Sequence, residues 1–344
     1  MTAPRRTPQL TACRAEGEYD ATTPTRLDGG HAVALIAGVC AAVQLEVNAV
    51  LGARLGSTLV ASLVNFAVAF VVVAVALSLR PDTRHRLADL WRWDVPRWTL
   101  TAGFAGAIAV SAGVVTVETI GVAVFSVAFF AGQIISGLLV DRLGVAPGGR
   151  RPVTTARLQA MVLALLAIGI TQLGQRANAF EPSFVAFAAA SGGGIALQSA
   201  FNARIASYTG DPVAATAVNV TVGAAALAIL VAALGLGGAV DPPHWPSQPW
   251  LYLGGVLGVT IVFFLAVATA GQGVLRATLT MLAAQIIAAF GVDWVVQGDP
   301  PTVGVIAGAF LIVGAVALVG RRDVHRRTPR PADDAEWGSE TMIR

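Results

Sequence analysis

Charged side chains are scarce in this sequence, and lysine is absent from it. Only 12% of its 344 residues are charged, whereas soluble domains average about 25%. So few charges cannot cover a water-exposed surface when 55% of the residues are hydrophobic. The composition therefore excludes a single soluble globular domain, and its hydrophobicity excludes an intrinsically disordered chain.

Residues that build disulfides, metal centres or nucleotide sites are also few. The two cysteines, Cys13 and Cys40, form no disulfide framework, and Cys40 lies in an apolar run that favours a packed thiol. None of the four histidines has a Cys, Asp or His at metal-ligand spacing. No phosphate-binding loop ending in GK[ST] is present, and no His, Asp or Glu cluster indicates a membrane enzyme. We therefore expect neither a cofactor nor catalysis.

Long apolar runs are what the sequence has in abundance. A helix needs about 20 mostly apolar residues to cross the hydrocarbon of a bilayer. The sequence predicts an all-α integral membrane protein with ten transmembrane helices. The ten runs are residues 32–51, 58–79, 98–117, 120–140, 158–173, 183–201, 212–235, 250–270, 273–292 and 302–319.

Two of the apolar stretches, residues 98–140 and 250–292, are too long for one crossing each. At a rise of 1.5 Å per residue, either would form about 65 Å of helix, roughly twice the hydrocarbon thickness. Each is therefore predicted to fold as two spans, with a turn near Gly121 or Gly273. Each stretch carries a single charge beside its turn, Glu118 and Arg276 respectively.

The arginines predict the orientation in the membrane. With the N-terminus in the cytoplasm and ten crossings, 21 of the 23 basic residues fall inside, and only Arg54 and Arg176 fall outside. The positive-inside rule therefore predicts that both termini are cytoplasmic. The pI of about 9.4 then reflects membrane topology and contact with membrane lipids rather than nucleic-acid binding. Residues 1–30 and 321–344 are predicted to be disordered cytoplasmic tails, and the oligomeric state is left open.

The two halves of the sequence resemble each other. Polar residues that match in register inside apolar helices rarely arise by chance, so the matches indicate an internal repeat. Positions related by the two shifts given next are called repeat-equivalent. A shift of 154 residues matches Gln44 to Gln198, Asn48 to Asn202, Gly56 to Gly210 and Asn65 to Asn219. A shift of 152 matches Trp98 to Trp250, Gly103 to Gly255, Gly106 to Gly258, Gln133 to Gln285 and Asp141 to Asp293.

The repeat also predicts how the halves are arranged. Residues 31–176 and 177–320 hold five predicted spans each, and an odd number forces the second half to insert upside down. Two inverted five-helix repeats are typical of alternating-access transporters, which bind their substrate near the bilayer midplane at the repeat interface.

The sequence resembles a known family at several of these positions. The Gln44-x3-Asn48-x2-Leu51-Gly52 stretch, followed by Leu55-Gly56-Ser57, resembles the opening of the YdcZ-type branch of the drug/metabolite transporter (DMT) superfamily. The Asn65 span, the Gly121…Gly132-Gln133 span and the closing apolar helix are similar to it as well. The resemblance covers about residues 32–320. It implies a ten-span fusion with an EamA-like inverted-repeat fold in the bacterial cytoplasmic membrane, and export or exchange of a small solute. Glu46 departs from the pattern that the resemblance implies.

Eight repeat-equivalent carboxamides lie within or at the edge of the predicted spans, where an unpartnered polar group is costly. Four residues apart, Gln44 and Asn48 share a helix face, as do Gln198 and Asn202. One interpretation is a central cavity in which these amides bind a polar solute in two pseudo-symmetric half-sites. The alternative is that the amides bond one another between helices. The eight are Gln44, Asn48, Asn65, Gln133, Gln198, Asn202, Asn219 and Gln285.

Two carboxylates inside the apolar runs are candidates for proton coupling. Glu46 lies within the first span but about 200° round the helix from Gln44. The alternative is that Glu46 pairs with Arg54 or lies near the outer headgroups. Glu118 lies beside a predicted turn, and the alternative is that it is a residue of that turn without a role in coupling. Asp141 and Asp293 are interpreted as span ends, with a gating role as the alternative.

A run of three glycines interrupts the sixth span. Gly192, Gly193 and Gly194 weaken a helix by about 1 kcal/mol each relative to Ala. With no equivalent run in the first half, they are a candidate hinge, and close helix packing is the alternative.

These patterns together predict a secondary transporter that moves a small-molecule substrate, with protons as a candidate second partner. The alternative is a membrane scaffold or assembly partner that transports nothing.

Overall fold

The computed structural model describes residues 27–90, 95–171, 181–236, 245–292, 294–295 and 303–325. No β-strand occurs within these ranges, and the predicted all-α fold is confirmed. Two short 3₁₀ turns, Arg97–Thr101 and Pro249–Leu253, directly precede the helices that begin at Ala102 and Gly254. The helices are α1 (Leu27–Leu55), α2 (Thr58–Ser78), α3 (Pro81–Asp89), α4 (Ala102–Leu143), α5 (Thr155–Thr171), α6 (Pro182–Thr209), α7 (Pro212–Leu236), α8 (Gly254–Gln272), α9 (Val274–Val292) and α10 (Val303–His325).

Ten helical segments correspond to the ten predicted spans. Eight of them in the described part of the chain are long and apolar enough to cross a membrane. Two of these eight belong to α4, because Arg97–Val117 and Val124–Leu143 qualify separately. The shorter apolar helices Thr155–Thr171 and Val303–Val319 complete the set. In contrast, α3 is short and polar and lies between spans.

Glycines break the helices where the two long apolar stretches were predicted to turn. Gly121 interrupts α4 with φ 81° and ψ 156°. Gly273 separates α8 from α9 with φ 86° and ψ 167°. Glycine adopts such a positive φ without steric cost. Both breaks are at repeat-equivalent positions, so the second part of α4 corresponds to α9.

The order of elements repeats along the chain. The series α1, α2, 3₁₀ turn, α4 and α5 corresponds to α6, α7, 3₁₀ turn, α8–α9 and α10. The hairpin turns are built alike, since Gly56 has φ 72° and Gly210 has φ 63°. The residue after each glycine caps the next helix. Ser57 Oγ accepts from Val60 N at 3.3 Å, and Asp211 Oδ1 accepts from Val213 N at 2.9 Å.

The α1–α2 and α6–α7 turns lie at opposite ends of the bundle. Thr83 of α3, which follows the far end of α2, donates to Asp211 Oδ2 in the α6–α7 turn at 2.5 Å. At the other end, Leu51 and Leu55 beside the α1–α2 turn pack against Leu251 in the second 3₁₀ turn. The equivalent hairpins therefore point in opposite directions, as an inverted repeat requires.

The two ends differ in charge. We call the end that holds α3 and the α6–α7 turn the basic end, because Arg86, Arg151, Arg157 and Arg204 make their contacts there. The other end is called the distal end. The positive-inside rule predicts that the basic end faces the cytoplasm.

Two helices extend past the predicted edges of the repeats. Within the described residues, α1 begins at Leu27 and α10 continues to His325. Helical hydrogen bonding does not stop where hydrophobicity stops, so polar flanks of a span continue its helix. Residues 1–26 and 326–344 of the predicted tails lie outside the described residues.

An apolar core joins the two halves. The second part of α4 and helices α5, α9 and α10 pack around Ile134, Leu279 and Ile312, all of which are fully buried. This core holds α4 against α9 and so positions the polar contacts at the basic end.

Candidate functional site

Two repeat-equivalent asparagine pairs are hydrogen-bonded inside the bundle. Asn65 Nδ2 donates to Asn48 Oδ1 over 2.6 Å, and Asn219 Nδ2 donates to Asn202 Oδ1 over 3.3 Å. Each pair joins the two helices of one hairpin, α1–α2 or α6–α7. For these four residues, the geometry matches the alternative in which amides bond one another between helices.

The two pairs lie toward opposite ends of the bundle. Asn48 precedes the last residue of α1 by seven residues, and Asn65 follows the first residue of α2 by seven. Asn202 and Asn219 stand in the same relation to the α6–α7 turn. At 1.5 Å per residue, each pair is about 10 Å below its own turn. The amides predicted for one cavity are therefore brought together as two separate groups.

We call these groups the distal cluster and the basic-end cluster. Each contains the asparagine pair of its hairpin and the glutamine one turn earlier. The distal cluster is Gln44, Asn48 and Asn65, and the basic-end cluster is Gln198, Asn202 and Asn219.

The distal cluster binds the start of a helix from the other half. Gln44 Nε2 donates to the backbone carbonyl of Gly254, the first residue of α8, at 2.7 Å. A Cβ at Gly254 would overlap the side-chain oxygens of Asn48 and Asn65. One turn further along α8, a Cβ at Gly258 would lie 2.7 Å from Gln44 Nε2. Glycine at both positions lets α8 approach the amides this closely.

The basic-end cluster faces the first part of α4 in the equivalent way. A Cβ at Gly106, the equivalent of Gly258, would lie 3.5 Å from Gln198 Oε1. The equivalent of Gly254 is Ala102, which carries a Cβ. Gln198 Oε1 is buried and has no hydrogen-bond partner among the described residues. The two clusters therefore contain the same residue types, but their glutamines make different contacts.

The remaining two glutamines lie outside both clusters. Gln133 is 3% exposed on the second part of α4, and Gln285 is half-buried on α9. Their backbones lie where helices cross closely, because Gly132 packs against the backbone of Ala189, and a Cβ at Gly38 would lie 2.9 Å from Gln285 N. A role in binding substrate stays a prediction for these two residues.

The glycine run is part of a close helix crossing. Helix α6 continues through residues 192–194, and a Cβ at Gly192 would overlap the backbone carbonyl of Phe129 in α4. The first half does contain an equivalent of Gly192, because Gly38 packs in the same way against the backbone of Met281 in α9. This geometry is what the close-packing alternative expects, and the hinge stays a prediction.

Of the two candidate proton-coupling residues, Glu46 makes none of the contacts described for the distal cluster. Glu46 is half-buried on α1, and the contacts of Gln44 and Asn48 do not include it. The side chain of Glu118 and the whole of Asp293 lie outside the described residues.

Asp141 joins the two halves at the basic end. Its carboxylate accepts from Val274 N at 2.8 Å and from Leu275 N at 3.3 Å, and so caps the first turn of α9. Arg157 Nη2 donates to the same carboxylate at 2.9 Å, and the Asp141 side chain is 0% exposed. The helix dipole and the guanidinium both stabilise the negative charge. The interpretation of Asp141 as a span end missed this contact with the other half.

A sequence signal for this contact existed in the α8–α9 turn. Gly273 occupies the position that usually caps a helix but has no side chain, so the first amides of α9 need an acceptor from elsewhere. A Cβ at Gly273 would lie 2.9 Å from Asp141 Oδ2, which shows how closely the carboxylate approaches.

Further hydrogen bonds cross between the halves nearby. Arg151 Nη1 donates to Gln272 O at 2.9 Å, and Arg204 Nη1 donates to Val145 O at 3.2 Å. Arg86 Nη1 donates to Thr209 O at 2.5 Å. We call these contacts, together with Asp141–Val274 and Thr83–Asp211, the basic-end seal.

Comparison with known proteins agrees with this architecture. A family model described as "Putative inner membrane exporter, YdcZ" matches the chain twice, over residues 30–170 and 183–318. A solved structure described as "Crystal structure of protein" is similar to 87% of this chain and 98% of its own, with a TM-score of 0.60 and 17% sequence identity. That likeness concerns the fold alone. The curated proteins include no match.

Proposed function

Because the chain belongs to the YdcZ family of inner membrane exporters, we propose that it is a secondary transporter that exports a small polar solute by alternating access. The two halves would rock against each other and expose the solute first to one side of the membrane and then to the other. No nucleotide-binding loop is present in the sequence to drive export by ATP.

The observation that carries this proposal is the basic-end seal. Its contacts run between the halves and are hydrogen bonds, each of which has a charged side chain on one side. Such contacts can break and re-form between two discrete arrangements. We propose that the seal is the gate at the cytoplasmic side and that it is closed in the state described.

Carboxamides in both halves support a neutral polar solute. Amide groups offer both donors and acceptors and carry no charge, which suits a sugar, an amino acid, a nucleoside or a polyol. We propose that the solute replaces amide–amide hydrogen bonds of the clusters when the halves separate.

Reconstituted flux tests the proposal. Purified protein in liposomes is assayed with a panel of labelled sugars, amino acids, nucleosides and polyols, with and without a pH gradient. We expect saturable flux of at least one class. A monodisperse, correctly inserted protein that moves none of them would favour the scaffold alternative.

A reversible cross-link tests whether the basic-end seal is the gate. Thr83→Cys together with Asp211→Cys places two thiols where the seal now has a direct hydrogen bond. Oxidation is expected to stop flux and reduction to restore it, whereas either single variant responds to neither treatment. Undiminished flux by fully cross-linked protein would exclude this seal as a gate.

The candidate proton-coupling residues are tested in the same assay. If protons drive export through Glu46 or Glu118, the Gln variant removes stimulation by the pH gradient and leaves solute exchange at equal pH intact. A Gln variant that retains full stimulation is not the coupling residue.

A further inference from the structure

Helices α1 and α6 each cross the other half closely at a repeat-equivalent glycine. A Cβ at Gly38 would overlap the backbone carbonyl of Met281 in α9, and a Cβ at Gly192 would overlap that of Phe129 in the second part of α4. Residues four, seven and eleven positions after each glycine share its helix face. Their burial shows whether α1 stays against the other half toward the distal end, and whether α6 does so toward the basic end.

The two helices differ on this face. On α6, all three positions stay buried, namely Ala196, Ser199 and Ala203. On α1, the first position, Ala42, is buried, but Leu45 is 63% exposed and Ala49 is also exposed. Helix α6 therefore remains packed as far as the basic end, whereas α1 separates from α9 toward the distal end.

The second part of α4 and helix α9 show the same asymmetry. Ser126 is half-buried, whereas its repeat-equivalent Thr278 is 1% exposed. Gln285 is half-buried, whereas its repeat-equivalent Gln133 is 3% exposed. Helix α6 also packs against α8 and α9, and among the described residues α1 has no comparable packing against α4. The bundle is therefore closed at the basic end and opens into a cleft toward the distal end.

One acidic residue lies beside the exposed face of α1. Glu46 is half-buried, and its repeat-equivalent, Ala200, is fully buried at the basic end in an apolar cluster with Ala102 and Val274. Among the described residues, the Glu46 carboxylate makes no hydrogen bond and no ion pair, so it is not paired with Arg54. It lies nine residues before the end of α1, about 14 Å along the helix. A carboxylate at this depth is costly unless it meets water or a cation, which favours the cleft over the acyl chains.

We propose that Glu46, Ser126 and Gln285 form a binding site in this cleft for a solute that carries an ammonium group. Glu46 accepts from the ammonium in a charge-assisted hydrogen bond. The Ser126 hydroxyl and the Gln285 carboxamide, neither of which is hydrogen-bonded among the described residues, bind other polar groups of the same solute. This proposal rests on the proposed function and narrows its solutes to amino compounds, such as amino sugars, amino alcohols and amino acids.

Thiol accessibility tests whether the cleft holds water. Ala49→Cys, one helical turn from Glu46, is prepared in a chain in which Cys13 and Cys40 are replaced by Ser and Ala. It is treated with two membrane-impermeant methanethiosulfonates, one cationic and one anionic. We expect reaction from the side that labels Arg54→Cys at the distal end. Glu46→Gln is expected to lower the ratio of the cationic to the anionic reaction rate roughly five- to tenfold, because it removes a nearby negative charge.

Two further cysteines are matched controls for accessibility. Ala203→Cys, at the buried repeat-equivalent of Ala49, is expected to react with neither reagent. Ile36 is 44% exposed on the part of α1 that precedes the cleft. A thiol at this position faces acyl chains and is also expected to stay unreactive. If Ala49→Cys is as unreactive as Ile36→Cys, the exposed face of α1 meets lipid and the proposal is wrong.

Protection of the same thiol tests the class of solute. Three pairs of probes differ by an ammonium group in place of a hydroxyl: glucosamine and glucose, ethanolamine and ethylene glycol, and alanine and lactate. We expect at least one amine to slow the modification of Ala49→Cys at concentrations where its hydroxyl partner does not. Glu46→Gln is expected to raise the half-protecting concentration of that amine roughly tenfold or more. An advantage of the amine that is absent from all three pairs, or that persists in Glu46→Gln, overturns the proposal.

Flux separates this proposal from the proposed function and from proton coupling. At equal pH on both sides, Glu46→Gln is expected to slow exchange of the protecting amine, whereas a role in proton coupling alone leaves that exchange intact. If an amine protects the thiol but crosses the membrane in neither direction, the proposed function fails and the binding site stands. If solutes are carried without preference for an ammonium group, only this proposal fails.

Discussion

Asp141, in the first half of the chain, accepts a hydrogen bond from the backbone of Val274, the first residue of α9 in the second half. This contact spans 133 positions of sequence and lies in a fully buried place. It ties the second part of α4 to its own repeat-equivalent helix, so this carboxylate is one of the groups that join the inverted halves at the basic end.

Removal of this carboxylate is expected to destabilise the protein strongly. Asp141→Ala leaves the Arg157 guanidinium buried without its charge partner, which typically costs about 3–5 kcal/mol. The loss is measured as unfolding in mixed micelles. The double variant with Arg157→Met is expected to be more stable than Asp141→Ala alone, because it removes the unpaired charge. Replacement of the exposed Arg142 by Ala is the control, with a change within about 0.5 kcal/mol. An additive double variant would contradict the pairing.

The asparagine pairs are expected to differ in strength. Asn65→Ala removes the donor of the 2.6 Å bond and leaves the half-buried Asn48 oxygen without this partner, at a cost of about 1–3 kcal/mol. Asn219→Ala breaks the longer 3.3 Å bond and should cost less. Unfolding midpoints of both variants test this order, with Ser62→Ala on α2 as a control. Equal losses, or a larger loss from Asn219→Ala, would show that the shorter bond is not the stronger one.

Gly254 is expected to tolerate no side chain. Gly254→Ala places a Cβ onto the oxygens of Asn48 and Asn65 and so disrupts the distal cluster. We expect a lower unfolding midpoint and reduced flux. On the same helix, a Cβ at Gly271 meets no atom within 4 Å, so Gly271→Ala is neutral or slightly stabilising through helix propensity. Equal effects of the two substitutions would mean that α8 does not need this close approach.

Two substitutions in the glycine run distinguish a role in close helix packing from a role as a hinge. Gly192→Ala overlaps the Phe129 backbone and is expected to reduce the yield of folded protein. A Cβ at Gly194 would make an ordinary contact of 3.5 Å with Ala105 Cβ, so Gly194→Ala is expected to fold. The hinge hypothesis predicts that flux by Gly194→Ala falls several-fold at unchanged stability. Unchanged flux would leave close packing as the whole explanation.

Local periodicity and the internal repeat predicted much of the fold. The length of the two apolar stretches required a turn in each, and Gly121 and Gly273 supply it. The matched spacing of Asn48 and Asn65 with Asn202 and Asn219 indicated that the two halves are equivalent, and an asparagine pair forms in each half. These features depend on residues close in sequence or on equivalence between halves, which a single sequence displays.

Contacts between the halves could not be predicted in the same way. The depth of Asn48 and Asn202 below their turns was available from the spans, and combined with the inversion it would have separated the two clusters. The α8–α9 turn signalled that α9 needs an outside acceptor, but the sequence does not identify Asp141 as that acceptor, because the approach of α4 to α9 depends on packing around Ile134 and Leu279. Gly38 was missed as the equivalent of Gly192 because only one of the three glycines is repeated.

The inversion of the two halves is tested most directly by measuring from which side of the membrane a thiol reagent reaches two repeat-equivalent positions. Arg54 on α1 and Tyr208 on α6 are repeat-equivalent and exposed, and each is replaced by Cys in a chain without Cys13 and Cys40. A membrane-impermeant maleimide is applied to intact cells and to inverted vesicles. We predict that Arg54→Cys reacts only in cells and Tyr208→Cys only in inverted vesicles. Reaction of both from the same side would contradict the account.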